Sequence, residues 1–409
     1  MFGILYILNV FISCIIILTK KINLKNKAIL VGVVFGLLGL IMTPRSGNFS
    51  DAVRFFNELD AFRREITLSG FSNTFYNMVY NMVHSNSSTA ELSNVTLQYS
   101  STPFMGLIMM IMSYLGNGWL LFITAFIDMA SAAFLVMSSS EKYLEKNIGT
   151  NNSLYTWLIF TCLFNFNATI GGIRNGIVVF IFALSYWIII NKSSSNGIYL
   201  IKLTLLAIVL LLIHPFALLI YLLAVLSIFF YRNKLIMFIA EIALLCQHFY
   251  QGLLLKYLGG LGNSAITSSI TFKSTQYFGS SAYIVAPSNF SYIRYFIYLF
   301  IYVLCVILAR HYSMETTTFK KYNAFTNLSI AISIGACMDQ ILFSRCIMLL
   351  GVVIIPYLPR LMYVFKQIKG KAFLGLIKFI LPCILFLILM DNVRAGIRFF
   401  CITFNGMKK

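Results

Sequence analysis

Long apolar runs recur along this chain from Phe2–Leu18 to Ala372–Met390, and the few charges gather in short clusters between them. A bilayer core is about 30 Å thick and takes a helix of about 20 apolar residues. Inside lipid every backbone N–H and C=O must be satisfied within the segment, which leaves helices and closed barrels as the spanning structures. The dyad alternation of a barrel strand is missing, so the expected fold class is all-α, a polytopic transmembrane helical protein. Charged residues make up 11% of the chain and the mean hydropathy is +0.86, too little polar surface for a soluble domain. Residues 1–409 therefore read as a single integral membrane domain. Phe2–Leu18 is expected to remain as a span, with no basic stretch before it and no small-residue cleavage site after it.

Lysines orient the spans. Lys20, Lys21, Lys25 and Lys27 fill the loop after the first run and place it in the cytoplasm by the positive-inside rule. Alternation then gives about 12 full spans plus one short re-entrant or interfacial helix, Pro103–Gly116, which is too short to cross alone. Two polar segments fall on the external side, 43–102 and 251–290. Within the first, Ser50 is placed to cap an amphipathic helix over Asp51–Ile66, with Phe55, Leu59, Phe62 and Ile66 as its apolar stripe. Such a helix is expected to lie on the membrane surface. A helix break is expected at His214–Pro215.

With that orientation, 14 of the 19 lysines fall inside, yet nine of the 12 arginines fall outside: Arg45, Arg54, Arg63, Arg64, Arg174, Arg294, Arg345, Arg394 and Arg398. Positive-inside sorting should deplete arginine there as well. Guanidinium is a planar fork that grips phosphate through two parallel hydrogen bonds and stays charged in a dry site. External arginines in a chain without soluble domains point to an anionic ligand at the outer face, such as a phosphate or pyrophosphate lipid. Arg174 and Arg345 stand at span ends, where a charge is costly without a task. Arg63 and Arg64 read better as ion-pair partners of nearby acids. His214, at the depth of Arg174, is a candidate proton acceptor as much as a simple helix cap. Asp51 and Asp339 are external carboxylates that can serve as base or orienter, or pair with arginines. Asp128 and Glu241, inside spans, read as structural.

The net charge of +19 does not imply nucleic acid, because the charges sit in topology-setting loops that meet anionic lipid. The eight cysteines are scattered and carry no disulfide or metal pattern. Walker, HExxH and GxSxG motifs are absent, so ATP hydrolysis, zinc and serine-hydrolase chemistry lack support, and no cofactor is expected.

The stretch Gly171-Gly172-Ile173-Arg174-Asn175-Gly176-Ile177, leading into a span and followed by His214-Pro215-Phe216-Ala217-Leu218, resembles the bacterial O-antigen and exopolysaccharide polymerases. Pro44-Arg45-Ser46-Gly47-Asn48-Phe49-Ser50-Asp51 with Arg54-Phe55-Phe56 is similar to the family's Arg…Gly…Asp…Tyr segment after span 2, with Phe where the pattern has Tyr. Arg345 resembles an Arg in a late span. The resemblance implies a metal-independent membrane glycosyltransferase in the bacterial inner membrane. It would transfer a growing glycan from undecaprenyl pyrophosphate onto a lipid-linked repeat unit at the periplasmic face, in lipopolysaccharide O-antigen biosynthesis. The implied partners are undecaprenyl-pyrophosphate-linked oligosaccharides, membrane lipids and a chain-length regulator. Arg174, His214 and Asp51 are the expected catalytic residues, and Arg45, Arg54, Arg294, Arg345 and Asp339 the expected substrate-binding ones. External tyrosines such as Tyr76, Tyr99, Tyr277 and Tyr283 are expected to stack on sugars. A lipid-linked oligosaccharide flippase and an O-antigen ligase are the alternatives. The flippase fits less well, since such transporters have short loops and a charged central cavity.

Overall fold

The computed structural model describes residues 1–45, 51–84, 95–143, 151–192, 195–250, 289–311, 316–361 and 372–402. Residues 251–288 of the second external segment lie outside these, and Tyr277 and Tyr283 with them. The described chain is all-α apart from one short pair of strands. Four stretches are long and apolar enough to cross a membrane: Asn117–Glu141, Ile173–Asn191, Tyr292–Arg310 and Gln340–Leu361. Phe2–Leu18, Asn196–Leu211 and Phe216–Phe230 are apolar but shorter. Length and composition thus make the chain a helical membrane protein, with four such spans among the described residues against the 12 expected.

Helices α1 (Phe2–Leu18) and α2 (Leu24–Leu40) form a hairpin, in which the Asn23 side chain caps α2 by accepting from the Asn26 N–H at 2.8 Å. Strand β1 (Met42–Pro44) follows, then α3 (Asp51–Ser69), α4 (Phe71–His84), α5 (Val95–Tyr99) and α6 (Pro103–Leu115). The long α7 (Asn117–Tyr143) leads to α8 (Asn151–Leu163), the single-turn α9 (Phe166–Gly171) and α10 (Ile173–Asn191). Next come α11 (Asn196–Leu211), α12 (Phe216–Phe230), α13 (Lys234–Leu245), α14 (Asn289–His311), α15 (Thr317–Gly335) and α16 (Gln340–Val353). The last helix, α17 (Ala372–Phe399), runs into β2 (Phe400–Ile402), which pairs antiparallel with β1.

Two expectations about the first external segment resolve differently. Pro103–Leu115 is a 13-residue helix, too short at 1.5 Å per residue to cross alone, as its length predicts. Helix α3 forms over the expected stretch, and its stripe is apolar as read. That stripe, however, faces protein: Phe55, Leu59 and Phe62 are at most 1% exposed, with α3 packed against α5 and α6. Periodicity reveals that a face needs cover and is silent on what covers it.

Close helix approach explains the glycines of α2. A Cβ added to Gly39 would stand 2.5 Å from the Leu121 carbonyl oxygen, and one added to Gly32 would stand 2.8 Å from that of Phe126. Small residues spaced in this way let membrane helices pack backbone to backbone. Gly39→Val should force α2 off α7 and lower stability by about 1–3 kcal/mol, the usual cost of overpacking. A thermal melt of the detergent-purified variant checks this, and an unchanged midpoint would refute the tight-contact account.

The contacts between helix ends sort into two sets. At one end, β1 meets β2, the Met105 N–H donates to the Leu212 carbonyl at 3.3 Å, and Gly335 abuts Leu244. At the other end, the Lys27 Nζ donates to the Ile17 carbonyl at 2.7 Å and the Lys321 Nζ to the Asn196 side-chain oxygen at 3.1 Å. There the Arg310 guanidinium bonds the Asn327 side chain at 2.7 Å and the Asn323 carbonyl at 3.1 Å. No contact among these joins an end read as external to one read as cytoplasmic.

Candidate functional site

The chain breaks twice before Arg174. The Asn165 side chain caps the single turn α9, and Gly172 then opens α10, which puts Arg174 in the first turn of α10. Gly171 and Gly172 are poor helix formers, and the break there sets a half-buried guanidinium at the bundle end. It lies over the ring of Phe55, 5.3 Å from the centroid. The Arg54 guanidinium lies over the same ring at 5.0 Å. Phe55 is itself 1% exposed, so the ring is a fixed platform for two cations.

Glu58 serves Arg54 rather than Arg174. Its carboxylate pairs with the Arg54 Nε at 3.3 Å and accepts from the Tyr99 hydroxyl. Burial, then the Glu58 charge, hold the Tyr99 phenol well above its ordinary ionisation range, against the opposing pull of Arg174 and Arg54. Tyr99 is therefore a fixed donor to Glu58. Among the described residues no carboxylate lies within ion-pair distance of Arg174.

Helix α16 supplies the adjoining wall. A Cβ on Gly172 would stand 3.6 Å from the Met348 methyl, so the start of α10 lies beside the third turn of α16. Arg345 lies one turn before Met348 on α16 and is half-buried. Arg174 and Arg345 thus stand in the N-terminal halves of two neighbouring helices. Asp339 caps α16, its Oδ1 accepting from the N–H groups of Ile341 at 3.0 Å and Leu342 at 3.1 Å. Burial raises its ionisation range, opposed by those two N–H groups, by Arg345 and by His248.

The other expected residues are distributed more widely. His214 sits in the break between α11 and α12, where Pro215 was expected to end the helix. It is 2% exposed, and its Nδ1 accepts from the Phe216 N–H at 3.1 Å. That bond caps α12 and occupies the nitrogen a proton acceptor would offer, which favours the helix-cap reading of this residue. The backbone of Asp51 opens α3, and its side chain lies outside the described ones. Arg45 is exposed beside β2, its N–H donating to the Phe399 carbonyl at 3.0 Å. The Arg63 guanidinium pairs with Asp60 and donates to the Ser113 carbonyl at 2.7 Å, the ion-pair role expected of it.

Arg294 is committed elsewhere too. It pairs with Asp391 at 2.9 Å and donates to the Asn392 Oδ1 at 3.0 Å. The same oxygen accepts from the Tyr298 hydroxyl at 2.9 Å, while the Asn392 Nδ2 donates to the carbonyls of Cys162 at 3.2 Å and Phe164 at 3.1 Å. The Asn392 carbonyl accepts from Asn167 of α9 at 2.7 Å. One asparagine, 2% exposed, therefore ties α8, α9, α14 and α17 together directly behind the break that presents Arg174. Sequence reading missed Phe55 and Glu58 as site residues. The cue was Arg54 and Phe55 standing four and three residues before Glu58, spaced for one helix face.

Comparison with protein-family models, characterised proteins and solved structures finds no match to this chain.

Proposed function

We propose that this chain is a membrane glycosyltransferase of the O-antigen polymerase kind, acting on polyprenyl-pyrophosphate-linked oligosaccharides at the outer face of the bacterial inner membrane. The observation that carries the reading is Arg174. It is a half-buried guanidinium over an aromatic platform, paired with no described carboxylate, at the bundle end where the helix ends read as external converge. A cation kept in that setting with no counter-charge among the described carboxylates is suited to an anion that arrives with the substrate.

In this reading an acceptor hydroxyl oxygen attacks the anomeric carbon of the growing glycan. The bond from that carbon to the pyrophosphate oxygen breaks, and the lipid pyrophosphate leaves with the electron pair. Charge grows on the leaving group as the bond stretches, and Arg174, with Arg345 on the adjoining helix, holds it. The hydroxyl proton passes to a carboxylate at the same end. Asp51, at the start of α3 three residues from Arg54, is the favoured acceptor, since the His214 Nδ1 is occupied and the Asp339 Oδ1 already takes two N–H groups. Twelve spans and a periplasmic active face belong to this proposal.

Deleting the gene in its host and resolving the lipopolysaccharide on a gel tests the reading. The expected outcome is core bearing a single repeat, with the ladder lost and restored by the wild-type gene. Core with no repeat would instead indicate the flippase or ligase alternative, and an unchanged ladder would remove the assignment altogether.

A further inference from the structure

Away from Arg174, helices α14 and α17 enclose an apolar groove of about 340 Å³. Its walls include Ile293 and Ile297 on one side and Ile384 and Leu387 on the other, all exposed on the outside of the bundle. Its floor at the upper end is the Arg294–Asp391 ion pair, with Arg294 about one-fifth exposed. Apolar surface on a membrane helix is ordinary lipid contact. A walled groove closed at one end by a charged pair is not.

The rim decides what fits. Asp391, Arg394 and Arg398 recur at i, i+3 and i+7 of α17, so the stripe that lines the groove continues upward through two arginines. Both are exposed. Arg294 and Arg394 against Asp391 leave the rim net positive, directly above a channel of hydrocarbon character. From this complementarity we infer a binding site for one anionic phospholipid of the surrounding bilayer, with an acyl chain between α14 and α17 and the phosphate at Arg394 and the Arg294 edge. This site is separate from the Arg174 site and does not depend on the reaction proposed there. Its bond through Asn392 to α9 places the bound lipid one residue from the network that supports the Arg174 break.

Native mass spectrometry of the full chain in detergent tests it, with phosphatidylglycerol, phosphatidylcholine of the same acyl chains and a polyprenyl phosphate as probes. One phosphatidylglycerol should be retained in preference to phosphatidylcholine. Arg394→Gln, on an exposed side chain, should weaken phosphatidylglycerol about fivefold, the effect of one basic residue near a charged headgroup, and leave phosphatidylcholine unchanged. Ile297→Trp and Leu387→Trp fill the groove from opposite walls and should each expel the lipid while keeping the wild-type melting midpoint. Equal retention of the two phospholipids, unchanged affinity in Arg394→Gln, or retention in a folded tryptophan variant would overturn the site. Displacement of phosphatidylglycerol by an equimolar polyprenyl phosphate would overturn the choice of occupant.

Discussion

Arg174→Ala should lower the polymerisation rate about 100- to 1,000-fold, the usual loss when one preorganised donor to a developing negative charge is removed. The protein should still fold, because the guanidinium bonds no other described side chain and only its contact with the Phe55 ring is lost. Arg174→Lys separates charge from shape. Lysine keeps the positive charge, but it presents one point where guanidinium presents a fork, and it stacks less well on the ring. The lysine variant should therefore remain within about tenfold of the alanine one. Turnover of a lipid-linked repeat unit by purified protein is the measurement. Wild-type turnover in Arg174→Lys, at normal protein level, would remove the physical reason for placing a pyrophosphate there.

The largest effect on stability is expected at Asn392. Asn392→Leu keeps the volume roughly constant and deletes four side-chain hydrogen bonds. It leaves the Tyr298 hydroxyl, one Arg294 nitrogen and two backbone carbonyls without that partner. Single hydrogen bonds between membrane helices average about 0.6 kcal/mol, whereas stranding a buried polar group costs about 1–3 kcal/mol. Asn392→Leu should accordingly cost about 2–4 kcal/mol. Asn392→Asp should fall between, since it keeps the acceptor for Arg294 and Tyr298 and loses both donors. Thermal melts of the two variants in detergent rank them, and a leucine variant that melts with the wild type would show that the network is dispensable. Because α9 hangs from the same residue, the aspartate variant is also expected to lose activity beyond its loss of stability.

Much of the helical plan was legible, and the reasons differ from place to place. The break at His214–Pro215 followed from proline chemistry, which acts within two residues and needs no knowledge of the fold. The apolar stripe of α3 followed from a 3.6-residue period, also local. The cover over that stripe did not follow, because lipid and a neighbouring apolar helix ask for the same residues. Arg294 shows the limit most plainly. Its span-end position resembles that of Arg174, yet its hydrogen-bond partner lies 98 residues away in sequence. Nothing local distinguishes an arginine that has found a carboxylate from one that has not. Arginine sorting pointed to an end of the molecule, and packing then put Arg54, Arg63 and Arg294 in ion pairs while Arg174 meets no described carboxylate.

The strand pair carries a consequence for how the protein is made. β1 meets β2, and α1 leans on α17 so closely that a Cβ on Gly396 would overlap the Phe2 ring and one on Gly3 would stand 2.5 Å from Val393. Residues of α1 are therefore completed by residues emerging nearly 400 positions later. At about 5–20 residues per second, the opening hairpin waits on the order of half a minute for its neighbour. Throughout that interval it sits in the bilayer with one side unmatched, held only by α2 and whatever has arrived. The bundle closes like a ring with its clasp far along the chain, so α1 is finished only once α17 has arrived.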